Sequence, residues 1–331
     1  MITINTSRRN FIKVGTLMLG GLSVRNLLAE SISSDKSIIF IWAGGGMSSY
    51  ESFDPHPDAT EGFRSTTGIE KTNVAGLNLG GNFIELAKIA DKYALIRSFA
   101  HGDPGHSGAT ELVLSNKPHR LADNGEPPIN PSIGSIVSRF KGTNNPLNGI
   151  PTYIKTRGIF ADGASWLGKQ YEPFEPTGEG INNLSINLDK NRLLDRRVLL
   201  NKLDKFSNSI DKTGTAKGMD EYQQQSYNIL SKNIKDAFDT KKESNFTKES
   251  YGTNDFGTSM LLARRLVENG STFITVSEGS WDFHTDIKSQ MVKKVPDFDK
   301  GIAALIKDIW DRDLQDKVMV IVTTEFSRTG L

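Results

Sequence analysis

Three of the chain's five histidines share two short stretches with carboxylates. His101, Asp103 and His106 fall in "HGDPGHSGAT" (residues 101–110), and Asp282 and His284 in "GSWDFHTDI" (279–287). Imidazole and carboxylate without sulfur suit zinc, manganese or iron, and calcium less readily. The chain has no cysteine, which removes disulfides, thiolate zinc sites and cysteine nucleophiles together. A second chemistry is open at His106 and Ser107. Pro104-Gly105 turns the chain so that both residues start a helix. Free N–H groups there favour an anion, or a nucleophile attacking a phosphate or sulfate group. The competing use of Ser107 is a plain N-cap. In "GGGMSSYESFD" (44–54), Ser48, Ser49, Glu51 and Asp54 are candidates for metal or substrate contact, with turn chemistry as the competing use. Near the end, Glu325 is a metal ligand or a partner of Arg328, and Arg328 suits a tetrahedral anion held bidentately.

These residues need elements that aim them at one place. "KSIIFIWAGGG" (36–46) reads as a buried strand running into a tight glycine turn. Further strands are expected at 93–99, 149–155, 271–276 and 317–326. Helices are expected at 83–92, 106–116, 131–140, 254–270 and 299–310. The best is 254–270, with Phe256, Met260, Ala263 and Val267 on one stripe, an Asn254 or Asp255 cap and a Gly270 stop. Residues 157–185 read as loop, and 190–250 as a peripheral helical insertion with Tyr227, Leu230, Ile234 and Phe238 on one face. Apolar strands alternating with helices predict an α/β fold: a doubly wound, mostly parallel sheet with helices on both faces. Function in such sheets lies beyond the carboxyl ends of the strands, and four polar clusters fall there: 48–54, 101–107, 282–284 and 325–328. The glycines match neither a dinucleotide fingerprint nor a P-loop, and more plausibly let backbone approach a ligand.

A net charge of +1 makes no electrostatic case for nucleic acid or an anionic membrane. "SRRNFIK" (7–13) followed by the short apolar run "VGTLMLGGLSV" (14–24) has the layout of an export leader, and its paired arginines resemble the twin-arginine signal. The run is too short to span a bilayer. Residues 1–30 are therefore expected to be a signal peptide, with the twin-arginine translocase as a transient partner and the periplasm or exterior as destination. Residues 31–331 are expected to form a single domain.

Several of these segments carry a resemblance. "YGTNDFGTSMLLARRLVENGSTFITV" with "GSWDFHTDI", "AGGGMSSYESFDPHP", "IRSFAHGDPGHSGATELVLSN" and "TTEFSRT" together resemble DUF1501, a family of secreted bacterial proteins. That family is similar in fold to the alkaline phosphatase and sulfatase superfamily. The resemblance implies a divalent-metal-dependent hydrolase of sulfate or phosphate esters, small or borne on polysaccharide, in the cell envelope. It implies a metal set of Glu51, Asp282, His284 and Glu325, substrate contacts from Ser48, His101 and Thr110, and catalytic roles for His106, Ser107 and Arg328. His106 then either ligates metal or leaves the nucleophile's role to Ser107 or Thr110. Two positions depart from the family pattern: Ser49 stands where many members have His, and Ser327 replaces the usual Gly. The family pattern continues past "EFSRTGL" with Asp and His, so the chain is expected to be a C-terminally incomplete domain. The alternative reading is a non-catalytic envelope or export-associated binding protein on the same fold. A third is a carbohydrate surface from Trp166, Tyr171 and Phe174, against ordinary loop packing.

Overall fold

The computed structural model describes residues 36–117, 128–176 and 234–328. The expected leader, and residues 177–233 of the loop and insertion, lie outside them. Among the described residues there are six strands: β1 (Ser37–Trp42), β2 (Ile69–Lys71), β3 (Asn78–Gly80), β4 (Tyr153–Lys155), β5 (Phe273–Ser277) and β6 (Val318–Thr323). Four form an all-parallel sheet in the order β4-β5-β1-β6, and β2 and β3 form a separate antiparallel pair. The helices are α1 (Ile84–Ala87), α2 (His106–Ser115), α3 (Ile133–Lys141), α4 (Lys235–Phe238), α5 (Asn245–Tyr251), α6 (Asp255–Glu268) and α7 (Ile287–Asp311). Among the described residues no helix is long and apolar enough to cross a membrane.

β1 explains the layering. Its run Ser-Ile-Ile-Phe-Ile-Trp has no polar alternation because both faces are covered. Ile39 and Ile41 join the larger core with Met260 of α6 and Ile302 of α7. Phe40 and Trp42 face the other way, into a cluster with Leu114 of α2, Tyr153 and Phe273, against which Val137 of α3 packs. Helices therefore lie on both faces of a parallel sheet.

α6 forms as its sequence dictates. The Asn254 side chain accepts the Gly257 N–H at 2.7 Å, Gly270 takes φ +91°, and all four stripe residues are buried. α7 starts twelve residues before its expected start at 299. Met291, Val295, Phe298, Ile302, Leu305 and Ile309 recur at helical spacing and are all buried. That stripe carries the helix through Pro296, which as an interior proline costs about 3 kcal/mol.

The strand expected at 93–99 does not form. Tyr93 Oη donates to the Leu86 carbonyl, and Arg97 donates to the carbonyls of Phe53 and Asn78 and pairs with Asp54 at 3.2 Å. These side chains route the segment past the sheet and leave Ile96 and Phe99 exposed. The β2–β3 pair was not foreseen. Of the insertion, the described part is α4, a 3-10 turn at Thr240–Lys242 and α5, with Ile234 and Phe238 buried. Tyr227 and Leu230 lie outside the described residues.

Candidate functional site

In the sheet, Trp42 at the end of β1 is level with Ser277 of β5 and Thr323 of β6. Three chain segments therefore leave one sheet edge side by side, at roughly 4.8 Å strand spacing. Two glycines let them close on each other. At Gly45, φ is +112° and a Cβ would lie 2.6 Å from the Asp282 nitrogen. At Gly46, φ is +81° and a Cβ would strike the Phe326 ring at 2.5 Å. The glycines admit the chain's own neighbouring loops.

Glu325 is the buried anchor of the edge. Its Oε1 accepts the Gly45 N–H at 2.7 Å and His106 Nδ1–H at 2.8 Å, and its Oε2 accepts the Thr324 hydroxyl at 3.0 Å. A carboxylate can only accept, so His106 Nδ1–H is the donor, and in the neutral imidazole Nε2 carries the lone pair. His101 sets the approach of this segment. Its Nε2–H donates to the Glu325 carbonyl, and its Nδ1 accepts the Asp103 N–H at 3.2 Å. Both of its ring nitrogens are committed. The segment 101–106 reaches the edge through this clamp, without a strand of its own.

His106 Nε2 faces Asp282 Oδ2 at 3.5 Å, and His284 Nε2 lies 2.8 Å from Asp282 Oδ1. Arg328 enters among them. Its Nε donates to the Gly45 carbonyl at 3.0 Å and its Nη2 to Asp282. Nη2 lies 3.3 Å from His106 Nε2 and Nη1 lies 3.4 Å from His284 Nε2. The His106 ring packs on Phe326 at 4.8 Å between centroids, which holds the imidazole from a second side. Trp281 is fully buried against Phe298 and supports the loop that carries Asp282.

The structure thus brings together His101, His106, Asp282, His284, Glu325 and Arg328. Ser48 reaches the edge through its hydroxyl, which donates to the Arg328 carbonyl at 3.3 Å. Ser49, at the position of departure, bonds Ser327, the other departing residue, at 2.8 Å between hydroxyl oxygens. Ser107 is not the N-cap, which is Gly105. It is buried in the first turn of α2, as is Thr110 one turn on. Glu51 is committed elsewhere: its carboxylate accepts N–H and hydroxyl groups of Thr66 and Thr67 and the Ser65 hydroxyl. Asp54 pairs with His56 and Arg97. Tyr171 is buried, Phe174 packs on Phe238 and Trp166 is exposed, so no shared aromatic face forms. Sequence reasoning missed the Gly45 N–H and the Phe326 contact. Only the tertiary structure, which brings residues 219 positions apart to hydrogen-bond distance, reveals the Glu325–His106 link.

Fold and edge cluster define a parallel α/β protein with its polar residues gathered beyond the strand ends. Residues 35–330 match the family described as Protein of unknown function (DUF1501), and the chain belongs to that family. No curated protein and no solved structure matches the chain.

A divalent ion at this edge was an expectation of the resemblance. The donor types are suitable, but the expected quartet separates: Glu51 holds 65–67 and Glu325 holds His106. As the side chains stand, with Arg328 among them, no group of three or more His, Asp or Glu of the described residues is placed to hold a metal. The remaining donors, His106 Nε2, Asp282 and His284, all face the Arg328 guanidinium. With Arg328 in place the residues do not fit an ion.

Proposed function

We propose that the edge cluster hydrolyses esters of a tetrahedral oxyanion, sulfate or phosphate, at the cell envelope. The observation that carries this reading is the Glu325–His106 pair, which holds the imidazole with its Nε2 lone pair toward Asp282 and Arg328. Glu325 fixes the tautomer and stabilises the imidazolium that forms, the role an orienting carboxylate plays beside a general base. Arg328 supplies a planar fork that matches two oxygens of the anion, which displaces Asp282 from it. His106 Nε2 takes a proton from water as the water oxygen attacks sulfur or phosphorus. The ester bond breaks, the inorganic anion stays on Arg328, and the proton passes from His106 to the leaving alkoxide. The buried position of Ser107 and Thr110 favours water over either hydroxyl as the attacking group. The envelope location rests on the leader-like residues 7–24.

The test is a screen of aryl sulfates and aryl phosphates with the purified chain. Turnover that falls roughly 100- to 10,000-fold in His106→Ala supports the reading. Turnover indifferent to that change sinks it. Binding of inorganic sulfate or phosphate without turnover of any ester favours the binding-protein alternative.

A further inference from the structure

We infer that Arg328 is the resident cation of this site, standing where a divalent ion would otherwise bind. The inference rests on the reading of the edge cluster as the functional site, and it concerns the residue that, among those described, faces His106, Asp282 and His284 together. A divalent ion at this edge would need the His106 Nε2 lone pair, the Asp282 carboxylate and His284 Nε2. One guanidinium faces all three: Nη2 contacts Asp282 and lies 3.3 Å from His106 Nε2, and Nη1 lies 3.4 Å from His284 Nε2.

Arg328 is also fixed in that place. Its Nε donates to the Gly45 carbonyl at 3.0 Å, on a residue whose positive φ excludes most side chains, and its guanidinium carbon lies 5.6 Å from the Phe326 ring centre. Its side chain is only 14% exposed, against 73% for His284 and 44% for Asp282. The cation is therefore the sheltered member of the cluster and its partners are the open ones. A guanidinium stays charged at all working pH, so the positive charge does not depend on metal supply. Its repulsion of a second cation at a few ångströms, in a partly desolvated place, keeps ions out.

The consequence is specific. The wild-type chain, dialysed and titrated with zinc, takes up no stoichiometric zinc at this edge. Arg328→Ala uncovers the three donors and binds one zinc per chain, roughly tenfold or more tighter than wild type. Adding His284→Ala to that variant abolishes the gain. Calorimetric titration and elemental analysis read these outcomes without any assay of turnover, so they stand or fall separately from the ester screen. Arg328→Gln, which keeps the stem and removes the charge, carries the same test if Arg328→Ala does not fold. One stoichiometric zinc in the wild type that is lost with His284→Ala overturns the inference. So does a folded Arg328→Ala or Arg328→Gln chain that still takes none.

Discussion

Two arginines in this molecule, Arg264 and Arg328, differ in what surrounds them: the first sits in a knot of carboxylates, the second beside one carboxylate and two imidazoles. Arg264 is on α6 with its side chain 1% exposed, within 2.6 Å of Glu268, 2.9 Å of Asp308 and 3.1 Å of Glu243. Tyr251 adds a hydrogen bond to Asp308 at 2.8 Å, so the knot joins α5, α6, α7 and the turn before α5. Every partner there is a full anion, and all are largely buried. Arg328 has one anion and two imidazoles, all of them more open to water than itself. A buried charge saturated by three carboxylates cannot be offered to a ligand without breaking the packing around it. A sheltered charge with exposed, exchangeable partners can. In the proposed reading, location relative to the sheet edge separates structure from function, since the residue type is the same.

The largest effect should come from the knot. Arg264→Ala empties the centre of the knot and leaves Glu243 to Arg265, and Glu268 and Asp308 to Arg312, a loss on the order of 3 kcal/mol. Thermal unfolding should shift down by roughly 10 °C; a shift of a degree or two would erase the contrast.

The next effect tests what burial does to a carboxylate without a cation. Burial raises the Glu243 carboxyl, but Arg264 and Arg265 outweigh it and the net direction is down. Asp299 is buried on α7 against the backbone N–H groups of Ile84, Glu85 and Leu86, and desolvation outweighs them and pushes its pKa up to about 6. The folded state then binds the proton more tightly than the unfolded chain, whose value is about 3.9. Asp299 therefore lowers stability as pH rises from about 4 to 6, by about 2–3 kcal/mol. Denaturant titrations across that window should show the decline in wild type and a flatter profile in Asp299→Asn. Equal slopes would show that the backbone donors suffice in place of a cation.

The smallest effect belongs to the edge. Arg328→Gln should change unfolding free energy by less than about 1 kcal/mol, because its ion pair is partly solvated. A loss comparable with that of Arg264→Ala would make Arg328 a structural residue and collapse the distinction.

Much of this was legible in the chain. The Asn254 cap, the 256–267 stripe and the Gly270 stop are local signals, and α6 follows them. The apolar run of β1 announced a sheet covered on both sides, and the placement of polar clusters at strand ends led to Asp282, His284, Glu325 and Arg328. Two local readings misled. The helix expected from 299 starts at Ile287, because the Met291–Ile309 stripe carries α7 through Pro296. Residues 93–99 have strand composition, yet Tyr93 and Arg97 tie them to other segments. Glu51 reads as a ligand because it is acidic and near a strand end; its carboxylate instead serves five donors of residues 65–67.

What the sequence determined by itself were the elements and the identities of the chemical groups, because capping, periodicity and side-chain type act within a few residues. Tertiary structure alone decided which groups meet. Glu325 and His106 are 219 positions apart, and Arg328 and Asp282 are 46 apart. The parallel order β5-β1-β6, two glycines with positive φ and the His101 clamp bring them within hydrogen-bond distance. Whether a carboxylate ligates, orients or packs depends on which donors reach it first, and that follows from packing over long sequence separations.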